Sequence, residues 1–489
     1  MKALTAISLM SLTLAAAQTT SAAPPPPPVD PAESILSEDT SQAAPNPKPP
    51  PYTLLRFNED YRYLANPANR TDPFDRLKYI PLDPHNTAAY LSLGGEIRER
   101  FESFSNPDFG VGGGAQHDDY LLQRITLHAD LHLNERVRFF VQGISGLQWS
   151  ESGESSPVNQ DPLDLQQAFG DLVFGDPEAR DARLTLRGGR FEMTFGSARL
   201  VATRSAPNIP FKFDGIELIG ALGKSRLYGF VVQPAEEEKY RFDGANDHET
   251  FWGIYGTTQL GGPLKMGIDL YFLGLRDEDA EYQSGAATEE RHTIGTRLFG
   301  KVAGWDYDLE PVFQFGSFGD RDILAWTIAT NIGFTFEHLP WTPRLGLKAD
   351  IASGDDGASG GNLGTFNPLF FKAAYFNDAS LLRPSNIMDL HPSLQLHPDD
   401  QLLLTLATDS LWRYSRDDAV YGPGGNIQIP ADAGNELFIG QTLEAAATWQ
   451  VDRHLVWNCS YTHLFAGDFV SSAGGGDVDF LGTWLTFTW

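Results

Sequence analysis

The sequence predicts an all-β chain, a transmembrane antiparallel β-barrel of about eighteen strands with short periplasmic turns and long extracellular loops. Three observations carry this. Long runs alternate apolar and polar side chains. No stretch beyond the N-terminus approaches the ~20 apolar residues of a membrane helix. The connections alternate between tight turns and long polar loops.

Residues 1–23 read as a secretory signal peptide, with an early Lys, an apolar stretch from Ala3 to Ala17 and small residues at Ser21, Ala22 and Ala23. That stretch is too short for a membrane helix, and no Cys follows it to carry a lipoprotein anchor. The only cysteine, Cys459, cannot form an intramolecular disulfide. Residues 24–52 (PPPPPVDPAES, then PNPKPPP) form a proline-rich linker, extended and unable to build a core, which suits a periplasmic tether. Residues 53–88 form a pre-barrel periplasmic segment. Its NEDYRYL and DPFDRLKYIPL stretches suit ordering the periplasmic mouth, docking a partner or anchoring the first strand.

Residues 89–489 form the barrel. Strands are expected near 90–104, 120–133, 135–148, 164–175, 182–190, 214–222, 225–234, 250–259, 264–275, 290–301, 304–316, 323–337, 342–353, 386–397, 401–415, 437–450, 454–466 and 478–489. In YLLQRITLHADLHL (120–133), Leu121, Ile125, Leu127, Leu131 and Leu133 oppose Arg124, Thr126, His128, Asp130 and His132. A soluble sheet also alternates, but runs of about ten residues match a tilted membrane strand better. LGKS, LGGP, HPDD and VDR are the tight turns, and 105–119, 149–163, 235–249, 353–385 and 416–436 are long loops. Trp149, Trp305, Trp341, Trp412, Trp457, Trp484 and Trp489 suit interfacial girdles. The terminal FLGTWLTFTW reads as a strand to its last residue and must close against YLSLGGEIRERFE (90–102). Eighteen strands predict an aqueous lumen.

The net charge is −28, and many carboxylates lie in the loops. Basic residues concentrate elsewhere. Residues 183–212 hold Arg183, Arg187, Arg190, Arg199, Arg204 and Lys212 against the single acid Glu192, a local balance of +5. Arg98 and Arg100 oppose Leu91, Leu93 and Ile97 in parity and point inward, and Arg124 and Arg138 are read the same way. Arg lining suits an anion path, and the guanidinium fork fits carboxylates. The same residues also suit bracing against Glu96, Asp130 and Asp171.

RFNEDYRYL (56–64), TDPFDRLKYIPL (71–82), YLSLGGEIRERFE (90–102), GGRFEMTFGSARLVATRSAPNIPFKFDG (188–215), LGTFNPLFFKAAYF (363–376) and NIMDLHPSLQLHPDD (386–400) resemble the alginate export family of outer-membrane barrels. The resemblance implies an eighteen-stranded barrel in the Gram-negative outer membrane. It implies a monomer that exports an acidic exopolysaccharide with periplasmic secretion components. With it, segment 191–213 is expected over or in the pore, bringing Arg190, Arg199 and Arg204 near the path. The 353–385 loop is expected to pack inward, with Lys372 and Arg383 as contacts.

The expected function is export of an anionic, uronate-containing polysaccharide through a lumen lined by Arg98, Arg100, Arg124, Arg138, Arg187, Arg190, Arg199, Arg204, Lys212, Lys372 and Arg383. The alternative is a porin for small anionic solutes such as organic acids or oligouronates. A surface adhesin lacks a binding motif. No G-x-S-x-G, H-E-x-x-H or Cys/His spacing points to catalysis, and no motif points to nucleic acid. No cofactor is expected. Asp355 and Asp356 are a candidate calcium pair, but without the spaced ligands of a complete loop.

Overall fold

The computed structural model describes residues 49–113, 116–150, 155–176, 182–261, 265–357 and 361–489. The expected signal peptide and the linker up to residue 48 lie outside the described residues, as does residue 264.

Eighteen strands close a barrel. They are β1 (Asn86–Ser105), β2 (His117–His132), β3 (Val137–Ser150), β4 (Asp161–Gly175), β5 (Ala182–Phe191), β6 (Phe213–Leu222), β7 (Ser225–Glu236), β8 (Glu249–Gln259), β9 (Gly267–Asp277), β10 (Glu289–Val302), β11 (Trp305–Phe318), β12 (Arg321–Thr335), β13 (Arg344–Ala352), β14 (Ile387–Asp399), β15 (Leu402–Arg413), β16 (Phe438–Gln450), β17 (Leu455–Ala466) and β18 (Val478–Thr488). Each pairs antiparallel with its sequence neighbours. β18 pairs with β1 from Glu96↔Thr488 to Ser105↔Asp479, so the sheet has no free edge.

Alternation decides which way each side chain points. On β2, Leu121 and Leu127 face outward, 40% and 58% exposed, while Arg124, His128 and Asp130 are buried inside. No helix among the described residues is long and apolar enough to cross a membrane; the outward apolar residues of the strands form the lipid-facing band. The turn from β10 to β11 needs left-handed backbone, which Ala303 (φ 51°) and Gly304 (φ 85°) supply. Both described ends of the chain lie at the short-turn, periplasmic end.

Trp484 departs from the girdle reading. It stands opposite Arg100 in register and lies inside the barrel, with the Arg100 guanidinium 4.4 Å from its ring centre. Trp489 ends at the seam, where its amide and carbonyl pair with those of Gly95 at 3.1 and 3.0 Å. A Cβ on Gly95 would stand 2.7 Å from the Trp489 ring, so glycine leaves room for it there.

The segment before the barrel folds into short turns (Arg56–Asn58, Arg62–Ala65) and one helical turn (Asp75–Lys78) at the periplasmic mouth. Phe57 enters the barrel and packs edge-on against Phe140 and Phe169 at 5.8 and 5.2 Å. Arg56 pairs with Glu59 at 2.7 Å and donates to the Trp489 carbonyl at 3.2 Å. His454 bonds Asp72 at 2.6 Å. The segment therefore clamps both strands of the closing seam.

The lumen also departs from the open aqueous interior expected of eighteen strands. An aromatic core including Phe191, Phe195, Phe213, Phe230, Phe251 and Phe370 fills part of it. Two long connections, between β5 and β6 and between β13 and β14, fold inward and bring Phe195 and Phe370 against the aromatics of the strands.

Candidate functional site

The first inward segment, residues 192–212, lacks strand alternation. It carries Pro207 and Pro210, which cannot donate to a ladder, and it turns on left-handed residues Gly196, Ala198 and Arg204 (φ 57°, 60° and 51°). Phe195 stacks on Tyr255 of β8 at 4.8 Å, fixing the segment to the adjoining wall. The second segment, 353–386, brings the apolar run LFFKAAYF inside. Phe370 packs on Phe213 and Phe251 at 5.0 and 4.9 Å.

The two segments meet. Val201 and Phe370 form a parallel bridge. The Phe370 amide donates to the Leu200 carbonyl at 2.9 Å, and the Ala202 amide to the Phe370 carbonyl at 2.8 Å. Beside this junction Arg199 reaches β11, where one nitrogen bonds Asp308 and Glu310 at 2.7 Å each.

The sequence-predicted arginines fall into distinct settings. Arg98 donates to the Ser205 and Pro207 carbonyls at 2.6 and 2.9 Å, holding the first inward segment. Arg124 holds the Ser205 carbonyl at 3.0 Å and pairs with Glu96 at 2.8 Å. Arg100 pairs with Glu102. Arg138 pairs with Asp130 at 2.7 Å. Arg187 pairs with Asp171 at 2.9 Å, its guanidinium 4.2 and 4.3 Å from the Phe57 and Phe169 rings. The three carboxylates read from sequence as bracing partners are thus in place. Arg204 pairs with Glu237 and lies 3.8 Å from the Phe211 ring centre. Lys212 is buried between Asp164 and Asp243. The Lys372 side chain is exposed, while its amide donates to the Ala198 carbonyl at 3.1 Å. Arg383 bonds Asn367.

Arg190 sits elsewhere than expected. It registers with Ala168 and Asp214 and has opposite parity to the inward Arg187 and Phe191, so it faces outward. There it pairs with Asp214 at 2.6 Å. Of the calcium pair, Asp355 is held by Arg321 at 2.7 Å.

One feature of the lumen escaped the sequence reading. Asp350 and Asp389 stand directly opposite each other on β13 and β14, with Asp409 on β15 and Glu444 on β16 also facing in. Both oxygens of Asp389 and Asp409 are buried without a hydrogen-bond partner among the described residues. Lys348, 3.7 Å from Asp350, and His391, 3.3 Å from Asp409, are nearby basic groups. Inward parity of these acids was the available signal.

At the periplasmic mouth Lys78 is buried with no hydrogen-bond partner among the described residues. Burial, reinforced by the charge of Arg56, pushes its ammonium pKa down to about 7.

Residues 89–483 match the family model described as alginate export. No curated protein matches the chain. Several solved porins share the fold. Acinetobacter baumannii OccAB1 is 12% identical, with 85% of this chain and 99% of that one covered at a TM-score of 0.56. A BenF-like porin from Pseudomonas fluorescens Pf-5 is 9% identical, covering 82% and 99% at 0.55. Pseudomonas aeruginosa OccK2 (OpdF), solved in complex with glucuronate, is 12% identical, covering 81% and 96% at 0.53.

Proposed function

Because the chain belongs to the alginate export family and forms an outer-membrane channel, we propose that it exports an anionic, uronate-containing polysaccharide. The observation that carries this reading is Arg199. It lies where the two inward segments join and holds two carboxylates with one nitrogen. Asp308 and Glu310 occupy it as the carboxylates of a passing uronate chain would. A uronate exchanging with them gains a charge-assisted bond as theirs is lost. Binding is then weak and repeated, as conduction requires. Arg98 and Arg124 act one step back, holding the segment that carries Arg199.

The periplasmic mouth exposes Leu54, Leu77 and Leu82. These suit contact with periplasmic secretion components, and a monomer suffices for the path. The chemistry needed is passage rather than catalysis. A second reading, diffusion of small anionic solutes, is favoured by the Val201–Phe370 bridge, which narrows the lumen.

Planar-bilayer recording of the refolded barrel under a salt gradient tests both. Anion selectivity with reversible block by mannuronate and guluronate oligomers supports polymer export. Block by small organic acids alone supports the solute reading. Cation selectivity, unaffected by either, overturns both.

A further inference from the structure

At the extracellular rim, Asp161 and Asp164 open β4, and Asp243 comes from the loop joining β7 to β8. All three are buried, at 2%, 1% and 6% exposure. One oxygen from each lies within 4.8 Å of the others. Two calcium–oxygen bonds of about 2.4 Å span that separation. Lys212 reaches Asp164 and, at 2.7 Å, Asp243. The Asp243 amide donates to Asp164 Oδ1 at 3.0 Å. Asp161 Oδ1 accepts the Leu163 amide at 3.3 Å.

Asp161 Oδ2 is different. It is buried and has no hydrogen-bond partner among the described residues. Three buried carboxylates share one ammonium, and buried charge is normally paired or metal-bound. A cavity of about 530 Å³, lined in part by Arg190, Asp214, Phe242 and Asp243, reaches the cluster from the outer face.

We propose that Asp161, Asp164 and Asp243 bind a calcium ion beside the Lys212 ammonium. The all-oxygen donor set selects a hard cation, and its spread suits calcium better than the tight octahedron magnesium demands. The ion ties β4 to the β7–β8 loop and, through Lys212, to the root of the first inward segment.

Calorimetric titration of EDTA-stripped, refolded barrel with calcium chloride tests this, with Asp161→Asn alongside. The wild type should show one site above the weak background of the acidic loops, and calcium should raise its melting temperature. Asp161→Asn should weaken that site about tenfold or more, since affinity follows ligand charge. Without calcium it should be at least as stable as the wild type, having lost an unpaired buried charge. Lys212→Met should bind calcium more tightly and recover its stability when the ion is present. Wild-type binding indistinguishable from that of Asp161→Asn overturns the proposal. So does loss of stability in calcium-free Asp161→Asn, or a Lys212→Met barrel that calcium does not restore.

Discussion

Lys78 and Arg56 show what a buried cation costs with and without a partner. The Lys78 ammonium lies 5.4 and 5.2 Å from the Tyr52 and Tyr61 ring centres, with Arg56 and Arg453 opposing it and Glu59 and Asp72 favouring it. Its pKa falls from 10.5 to about 7. Below about 7 both folded and unfolded chains carry the charge, so folding bears the full burial cost. Between 7 and 10.5 the folded amine is increasingly neutral, and that cost fades as pH rises. Lys78→Met should therefore stabilise the periplasmic segment at pH 6, by about 1–3 kcal/mol for an unsatisfied buried group. The gain should vanish near pH 10. Limited proteolysis at the two pH values measures it, and an equal gain at both would assign the effect to packing. Arg56 is the opposite case, because its partner Glu59 is also buried. Arg56→Ala strands that carboxylate and should cost about 3–5 kcal/mol, read as a lower melting temperature and protease access at the β1–β18 seam.

The two inward segments matter as elements because each is held at several points, and those points do different work. Phe370 is a packing contact, so Phe370→Ala should widen the junction and raise single-channel conductance. The loss of stability should be about 3–5 kcal/mol, as for other buried Phe truncations. Arg199→Gln stays polar but leaves Asp308 and Glu310 without the Arg199 charge. It should shift the reversal potential toward cations, whereas Arg190→Glu, on the outer face, should leave selectivity unchanged. A selectivity change from Arg190→Glu with none from Arg199→Gln would reverse these assignments. The strands were legible because parity is local: Leu121 through Leu133 declare one face whatever lies across the barrel. Bracing partners were legible for the same reason, since Glu96, Asp130 and Asp171 lie on strands adjacent to their arginines. The outward face of Arg190 was equally available, being an odd number of residues from Arg187. What sequence did not supply was contact across the lumen. The pairing of Arg199 with β11 and of Val201 with Phe370 joins residues over a hundred positions apart, with no periodic pattern linking them.

At the scale of the whole molecule, two stretches of the barrel wall contrast in charge. Arg100, Arg124, Arg138, Arg187, Arg199 and Arg204 are each matched by a carboxylate, while β13 to β16 carry Asp350, Asp389, Asp409 and Glu444 near Lys348 and His391. In a low-dielectric interior, unmatched charge acts further than a matched pair, whose field largely cancels at a distance. The β13–β16 wall should thus weigh on ion selectivity more than its number of groups suggests, opposing the anion preference proposed for Arg199. Asp389→Asn combined with Asp409→Asn removes two of these charges with little change in volume. The double variant should move the reversal potential toward greater anion selectivity, and conductance should change little. It should also resist heat better than the wild type at neutral pH, because each substitution relieves a buried carboxylate that has no hydrogen-bond partner among the described residues. Reversal potential and melting temperature separate the two consequences. A stabilised barrel with unchanged selectivity would place the acidic wall off the ion path, leaving selectivity to be governed by the junction of the inward segments alone.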